Sequence, residues 1–593
     1  MSAFSAINIL QPPPFASRSA FEKSPPSPVT CKRQVGKVMA SHVTNHPPTT
    51  GNSSSEQLRR TQTNHRPSVW DYGSIQSLGS HSMGSSNGEQ LEKLTQAVSV
   101  LFEQAGELRA ELQLVDAVQR LGMGYLFEKE IKKVLDRTAE RVDGIVMVDD
   151  DLYTRALLFR LLRQHGYKVS QDVFKSFRDK EGFKPYLSEE IQGMLSLYEA
   201  SHLAFEGEII LEEARNFTRN RLRGHLQVEP GLAVKVQHAL ELPTHRWLTW
   251  LEARWYMDSY PNEHWSEPAV VELSRMHFNM VQATHRNDVK AMSSWWKDLA
   301  LASRLSFARD RLMESFYWSI GLVYEPQFRY CRQQLTKVAQ LLTTIDDVYD
   351  VYGTLDELEL FTDAIRRWDL NTIDHLPDYM KTCFEALFKT VKRIGDDTIK
   401  ELDRDINPYL SKAWGDLCEA FLTEAKWFDK KTKPTLEEYL ENGWVSSSGP
   451  LLLTFAYYLL PRKASNKESG SLDNYMDLIK CSSMIFRLCN DLAISKEELE
   501  LEGGDSISAI QLYMDETGST EETACEYIRS LISDCWKRLN EESISCFPLS
   551  QTFTHVVINL ARNAQTVYLH GDGFSAPEGQ TKACVTSLLV ETY

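Results

Sequence analysis

Ten cysteines contain no C-x-x-C pair, and their scatter fits neither a zinc site nor a disulfide frame. In a chain of 593 residues they read as reduced thiols packed as small hydrophobes. Long apolar runs are also missing. Nothing reaches the roughly 18 apolar residues that a membrane-spanning helix needs. The longest run, 451–460, follows Pro450, contains Thr454 and reads as a core helix. Positive charge is in deficit, with 65 Lys and Arg against 82 Asp and Glu, a net charge of −17. That argues against a nucleic-acid binder, whose footprint is basic, and suits a protein that collects cations. No sustained period-2 alternation appears between turn signals, so a sheet is not expected.

What is present divides the chain. Twenty-two of residues 1–55 are Ser, Thr or Pro, and only Glu22 is acidic against Arg18, Lys23, Lys32, Arg33 and Lys37. No apolar stretch follows a basic start, so a secretory signal is excluded. A Ser-rich, acid-poor, basic leader has the composition of an organelle transit peptide. We assign 1–58 to it, without a fixed fold. Beyond it the periodicity is helical: in 152–166, Leu157, Leu158, Leu161 and Leu162 share a face, and Gly166 suits a helix end. The turn-rich stretch 259–268 (SYPNEHWSEP) marks a boundary, giving an N-terminal helical domain over 59–265 and a C-terminal one over 266–593. The length alone requires two or three domains.

Three constellations carry chemistry. Asp346-Asp347-Val348-Tyr349-Asp350 follows the apolar run 338–345 (VAQLLTTI). On a helix Asp346 and Asp350 project from one face, with Asp347 beside them. Adjacent carboxylates repel unless a cation lies between them. In 490–498, Asn490, Ile494 and Glu498 are spaced by four, and Asn490 and Glu498 are oxygen ligands on one stripe. Each cluster alone reads equally as a solvated polar helix face. Together they can clamp Mg²⁺, which is usually bound through a few carboxylates and substrate phosphates. Arg309-Asp310-Arg311 and Arg487 supply guanidinium forks for phosphate oxygens. Aromatic side chains, Trp318, Trp444 and Tyr568 among them, either fill the core or face a cation.

These three constellations together resemble plant class I terpene synthases. The likeness extends through 152–167, 251–258 (LEARWYMD), 279–285 (NMVQATH), Trp295-Trp296-Lys297 and 568–573 (YLHGDG). It covers nearly everything from Arg59 to the C-terminus. The resemblance implies an all-α protein of two helical domains, a class I terpenoid synthase bundle at the C-terminus and a catalytically silent α-barrel-like domain before it. It implies three Mg²⁺ or Mn²⁺ ions, with Asp346, Asp347 and Asp350 on one side and Asn490 and Glu498 on the other. Arg309, Arg311 and Arg487 would take the diphosphate, Asp346, Asp350 and Asn490 would adjoin the substrate, and Trp318 and Tyr568 would face the carbocation. The Asp-x-Asp-Asp motif of protonation-initiated cyclases is absent; Asp149–Asp151 is followed by Leu152.

Arg59-Arg60 followed by Trp70 resembles the N-terminal motif of the monoterpene-forming group. That implies geranyl diphosphate as substrate, isomerisation before cyclisation, an olefin or an alcohol of the α-terpineol or linalool type as product, and a monomer in the plastid stroma. Three departures stand against the pattern. Nine residues (61–69), not eight, separate Arg60 from Trp70; Ile494 stands where the second metal motif has Ser or Thr; and 503–514 (GGDSISAIQLYM) lacks the Arg before Gly-Asp. Isoleucine cannot ligate a metal. The competing readings are a sesquiterpene synthase on farnesyl diphosphate, a chain-elongating prenyltransferase (disfavoured by its need for two Asp-rich motifs) and a helical binding protein that has lost catalysis.

Overall fold

Helix starts follow local capping chemistry. Thr354 and Thr435 each accept the backbone N–H three residues on, and Glu357 and Glu438 reach back to the capping N–H. Asp151 accepts from the N–H groups of Tyr153 and Thr154 at the start of the leucine-rich segment. The computed structural model describes residues 67–79, 85–142, 151–224, 230–402, 404–461, 471–494, 507–546 and 550–593. The expected leader 1–58, Arg59, Arg60 and Glu498 therefore lie outside the described residues.

In the N-terminal half come α1 (Tyr72–Ser77), α2 (Ser85–Gln104), α3 (Leu108–Arg120), α4 (Glu128–Val142), α5 (Leu152–Gln164), α6 (Ile191–Ser201), α7 (Ile209–Gly224), α8 (Pro230–Glu241) and α9 (Thr249–Ser259). The C-terminal half continues with α10 (Pro268–Leu299), α11 (Leu301–Arg304), α12 (Leu312–Leu322), α13 (Arg329–Asp347), α14 (Leu355–Arg367), α15 (Asp378–Leu402), α16 (Asn407–Lys430), α17 (Leu436–Ser446) and α18 (Gly449–Leu459). It ends with α19 (Met476–Ala493), α20 (Ala509–Thr517), α21 (Glu521–Cys546), α22 (Gln551–Val567) and α23 (Gln580–Leu589). The strands among the described residues are β1 (Arg178–Asp179) and β2 (Gly182–Phe183), an antiparallel hairpin pairing Arg178 with Phe183. The all-α expectation holds.

All described residues belong to one compact unit. A contiguous apolar core runs through both halves. Trp250 of α9 stacks on Phe278 of α10 at 4.9 Å and on Tyr324 at 5.0 Å. The turn-rich stretch between α9 and α10 forms a 3-10 turn, Tyr260–Asn262. On the other side, Asn540 of α21 donates to the carbonyls of His202 and Ala204 and bonds His245 at 3.0 Å.

In the C-terminal half, α13 packs on α12 and α18, while α19 packs on α17, α18, α21 and α22. Close approach requires glycine at 321 and 449, among other positions. A Cβ on Gly321 would fall 1.9 Å from Asn563 Oδ1, and one on Gly449 would fall 2.3 Å from Ser483 Oγ. Arg332 and Asp288, both fully buried, pair at 2.6 Å and tie α13 to α10. These contacts hold α12, α13 and α19 against their neighbours, and the chemistry-bearing residues follow at the C-terminal ends of α13 and α19.

Candidate active site

The buried stripe of α13 includes Val338, Leu341 and Ile345 and ends at Asp346 and Asp347. The chain then widens into a π turn, Val348–Tyr352, rather than continuing the α-helix on which the sequence reading placed Asp350. Asp350 nevertheless stays in the field of Asp346. Arg309 is the counterion here. Its backbone N–H donates to Asp347 Oδ2 at 2.6 Å, its Nε lies 2.7 Å from Asp347 Oδ1, and its Nη2 donates to Asp346 Oδ2 at 2.5 Å. Asp347, expected as a metal ligand, is fully buried with both oxygens turned to Arg309. Arg309, expected on the diphosphate, is held by the two aspartates.

Electrostatics mark the spot. Burial raises the carboxyls of Asp346 and Asp347 in spite of Arg309. Asp350 keeps contact with solvent, but the protein packed around it partly desolvates its carboxyl. That desolvation, with the charges of Asp346 and Glu424, pushes its pKa well up. Burial works against the charge of Arg309, but Asp347, Asp346 and Asp350 outweigh it and raise its pKa.

The second cluster converges on this one. Arg487 pairs with Asp491 at 2.7 Å; Asp491 also accepts from the Tyr439 hydroxyl at 3.0 Å and the Ala509 N–H at 3.0 Å. Asp491 is therefore an anchor for α17, α19 and α20. Asn490 is half-buried and hydrogen-bonds the Tyr568 side chain. Here the sequence reading needs correction. Helix α19 stops at Ala493, and Ile494 has an extended backbone with ψ 111°, although its N–H still bonds Asn490 O at 3.1 Å. Ile494 therefore departs from the helical stripe that begins at Asn490. Glu498 lies beyond the described residues.

Between the clusters stands Glu424 of α16, which the sequence reading missed. It accepts from Ser446 Oγ at 2.6 Å and Asn442 Nδ2 at 3.2 Å. Burial raises its pKa against the charge of Arg487, with Asp346 and Asp491 adding repulsion. A signal existed: Glu424 continues the stripe Leu410, Trp414, Leu417 and Phe421, whose apolar members are buried. An acid in phase with a core stripe is rarely structural filler.

Rings form one wall. Trp318 lies 4.7 Å from Phe486 and 6.4 Å from Tyr568, and Tyr568 lies 6.1 Å from Phe486. Phe486, adjacent to Arg487, was not singled out in the sequence. Asn563 Nδ2 donates to the Trp318 carbonyl at 2.8 Å, which explains the glycine at 321. Trp444 does not join the wall; Lys480 sits over its ring at 5.5 Å. Arg309 Nη1 donates to Ser575 Oγ and Arg311 Nη2 to Ser575 O, so both arginines hold the segment after the YLHGDG motif. Trp70 lines a cavity of about 250 Å³ with Trp296, Lys297 and Asp310, the residue between the two arginines.

The donor set fits a hard divalent cation. Carboxylate oxygens gathered on one side of the site repel one another and need positive charge. Among the described residues no three His, Cys, Asp or Glu side chains cage an ion by themselves. Mg²⁺ ordinarily keeps waters and takes substrate phosphates as ligands, so it does not require a full protein cage. No helix among the described residues is long and apolar enough to cross a membrane.

Comparison with known proteins places the architecture. The terpene synthase N-terminal domain matches residues 69–240, and the terpene synthase family metal binding domain matches 297–538. The chain is 46% identical over 547 residues to (−)-alpha-terpineol synthase of Vitis vinifera, covering 91% of this chain and 92% of that protein. It is 46% identical to the chloroplastic myrcene synthase of Quercus ilex, covering 91% of each. Isoprene synthase of grey poplar, solved with three Mg²⁺ ions and dimethylallyl-S-thiolodiphosphate, superposes with TM-score 0.79 at 43% identity, over 89% of this chain and 99% of that one. The site and the matched domains together show that the chain belongs to the terpene synthase family, lyases acting on prenyl diphosphates.

Proposed function

We propose that the protein is a monoterpene synthase that ionises geranyl diphosphate and converts the resulting cation to a monoterpene olefin or alcohol. One observation carries this reading: Asp346 and Glu424 on the first side both lie in the field of Arg487 on the second, and Tyr568 lies in the fields of both Arg309 and Arg487. Two charged clusters remote in sequence thus share one space beside an aromatic wall.

Asp346, Asp350, Asn490 and Glu498 would hold Mg²⁺ or Mn²⁺, three ions by analogy with the poplar enzyme, and Asp347 would fix Arg309. When bound, the metals draw charge from the diphosphate oxygens and make it a better leaving group. Arg309, Arg311 and Arg487 would supply positive charge to the departing diphosphate. Trp318, Phe486 and Tyr568 keep bulk water away and offer ring faces to the allylic cation. Burial raises the Tyr568 pKa well above 10, so its ring stays neutral. The relatives above make an alcohol and an olefin, so product choice rests on the contour of this wall. The leader 1–58 would direct the protein to plastids.

The test is to incubate the protein lacking residues 1–58 with geranyl or farnesyl diphosphate and Mg²⁺ and to analyse the volatiles. Ten-carbon products from geranyl diphosphate are expected. Fifteen-carbon products alone would move the assignment to sesquiterpenes, elongated diphosphates with added isopentenyl diphosphate to a prenyltransferase, and no turnover with Mg²⁺ or Mn²⁺ to an inactive binding protein. Asp346→Ala is expected to lower turnover at least about 100-fold with an unchanged helical circular dichroism spectrum.

A further inference from the structure

A second basic group lies where the N-terminal helices meet α21, and nothing in the reaction uses it. Several arginines of the N-terminal half sit on carboxylates: Arg120 on Glu252, Arg160 on Asp116 and Arg163 on Glu208, at 2.6–2.7 Å. Arg246 does not. Its guanidinium lies 5.1 Å over the Trp536 ring, and its Nε is buried with no hydrogen-bond partner. Among the described residues Arg215 donates to Ser533 Oγ, at 3.2 Å. Ser533 and Trp536 are one turn apart on the same face of α21. His202, whose carbonyl is bound by Asn540 one turn further on, is 8% exposed, and both its ring nitrogens are buried without a partner.

We propose that Arg215, Arg219, Arg246 and His202 form a binding site for a phosphate-type oxyanion at this contact. Arg215, Arg246 and His202 meet successive turns of α21, at Ser533, Trp536 and Asn540. Burial and then the charges of Arg246 and Arg215, with Arg219 adding to them, hold His202 far below its ordinary pKa. Burial and Arg215 bring Arg246 down to about 10, and only Tyr198 and Cys489 act in the other direction. Glu199 is near, but its oxygens are taken by the N–H and hydroxyl of Thr244. Buried ring and guanidinium nitrogens without partners are costly, and the arginines beside them add positive charge, so the arrangement suits an anion. The charges are graded inward: Arg219 is exposed, and Arg215 and Arg246 are half-buried. A tetrahedral oxyanion can therefore enter from solvent, accept from the guanidinium forks and take one N–H from neutral His202. Its source is either free phosphate or the diphosphate that the reaction releases.

The experiment titrates the full chain, without divalent metal, with inorganic phosphate and separately with diphosphate. Chloride at equal ionic strength is the control, and calorimetry and melting temperature are the readouts. Saturable stabilisation by the oxyanions and none by chloride is expected. Arg246→Gln and Arg215→Gln should each weaken binding at least about tenfold, the range for a charge-assisted hydrogen bond. Arg219→Gln should weaken it two- to fivefold. Arg309→Gln should leave the inorganic-phosphate titration by calorimetry unchanged. Tighter binding of diphosphate supports the reaction product as the source, and equal binding supports free phosphate. The proposal is overturned if wild type shows no saturable binding, if binding survives both Arg215→Gln and Arg246→Gln, or if Arg309→Gln abolishes it. Should Arg246→Gln fail to fold, Arg215→Gln and Arg219→Gln, at less buried positions, decide the matter.

Discussion

Glu424 shows how one residue can serve a site without belonging to any motif. It shares the field of Asp346, Asp350, Asp491 and Arg487, and it is held by Ser446 and Asn442. Glutamine in its place keeps the shape and one accepting oxygen but removes the charge. Repulsion on Asp346 and Asp350 then falls, while the pull on cations weakens. Glu424→Gln should raise the half-saturating Mg²⁺ about tenfold, within the range for groups that support metal ligands, without lowering the melting temperature. An unchanged Mg²⁺ titration would remove Glu424 from the site. The motif residues were legible because their spacing within a few residues encodes a shared face, as with Asp346 and Asp350. Glu424 lies 74 positions beyond Asp350, and only packing of α16 on the turn at Val348–Tyr352 brings them together. Phe486 was hidden for a related reason, since one phenylalanine in an apolar helix carries no sign that it faces a ligand.

At the scale of elements, the helices were legible and their ends less so. Leucine periodicity and Thr-x-x-Glu caps are local signals, and α5, α14 and α17 follow them. The π turn after α13 and the stop of α19 at Ala493 depend on what each helix end meets, and periodicity does not report that. Close helix contacts are similarly invisible until the glycines are seen in place. Gly449, at the start of α18, faces Ser483 of α19, and a methyl group there would lie 2.8 Å from Ser483 Cβ and 3.0 Å from Leu560 Cδ2. These are packed atoms without room to give. Gly449→Ala should therefore cost about 1–3 kcal/mol, the usual penalty for overpacking, read as a lower denaturant midpoint. The shift of α19 should also reduce turnover, because that helix carries Arg487 and Asn490. A variant as stable as wild type would mean that α18 and α19 separate more easily than their contact indicates.

Across the whole molecule, two populations of buried titratable groups oppose each other. His202, His245, His277 and His285 are buried, and desolvation lowers all four, His277 to about 3. Unfolded, each binds a proton below about pH 6.5 that the folded chain refuses, so each subtracts up to about 1.4 kcal/mol per pH unit as pH falls. Glu314 and Glu325 act in reverse. Burial raises both to about 7, so between their ordinary value of 4.5 and 7 the folded chain holds protons that the unfolded chain releases. Stability from these carboxyls is complete below 4.5 and lost as pH rises through 7. Asp346, Asp347 and Glu424 share that direction. Between about pH 4.5 and 6.5 the two slopes oppose and largely cancel. Below 4.5 the carboxyl slope ends and the imidazole slope remains. Glu252, whose pKa Arg120 and His238 hold down against burial, loses its pairing there as well. The melting temperature should therefore be nearly flat from pH 6.5 to 4.5 and fall steeply below it. The double variant Glu314→Gln, Glu325→Gln removes part of the compensating slope, so its melting temperature should begin to fall near pH 6. If wild type itself declines steadily from pH 6.5, or the double variant keeps the plateau, the balance does not come from these carboxyls.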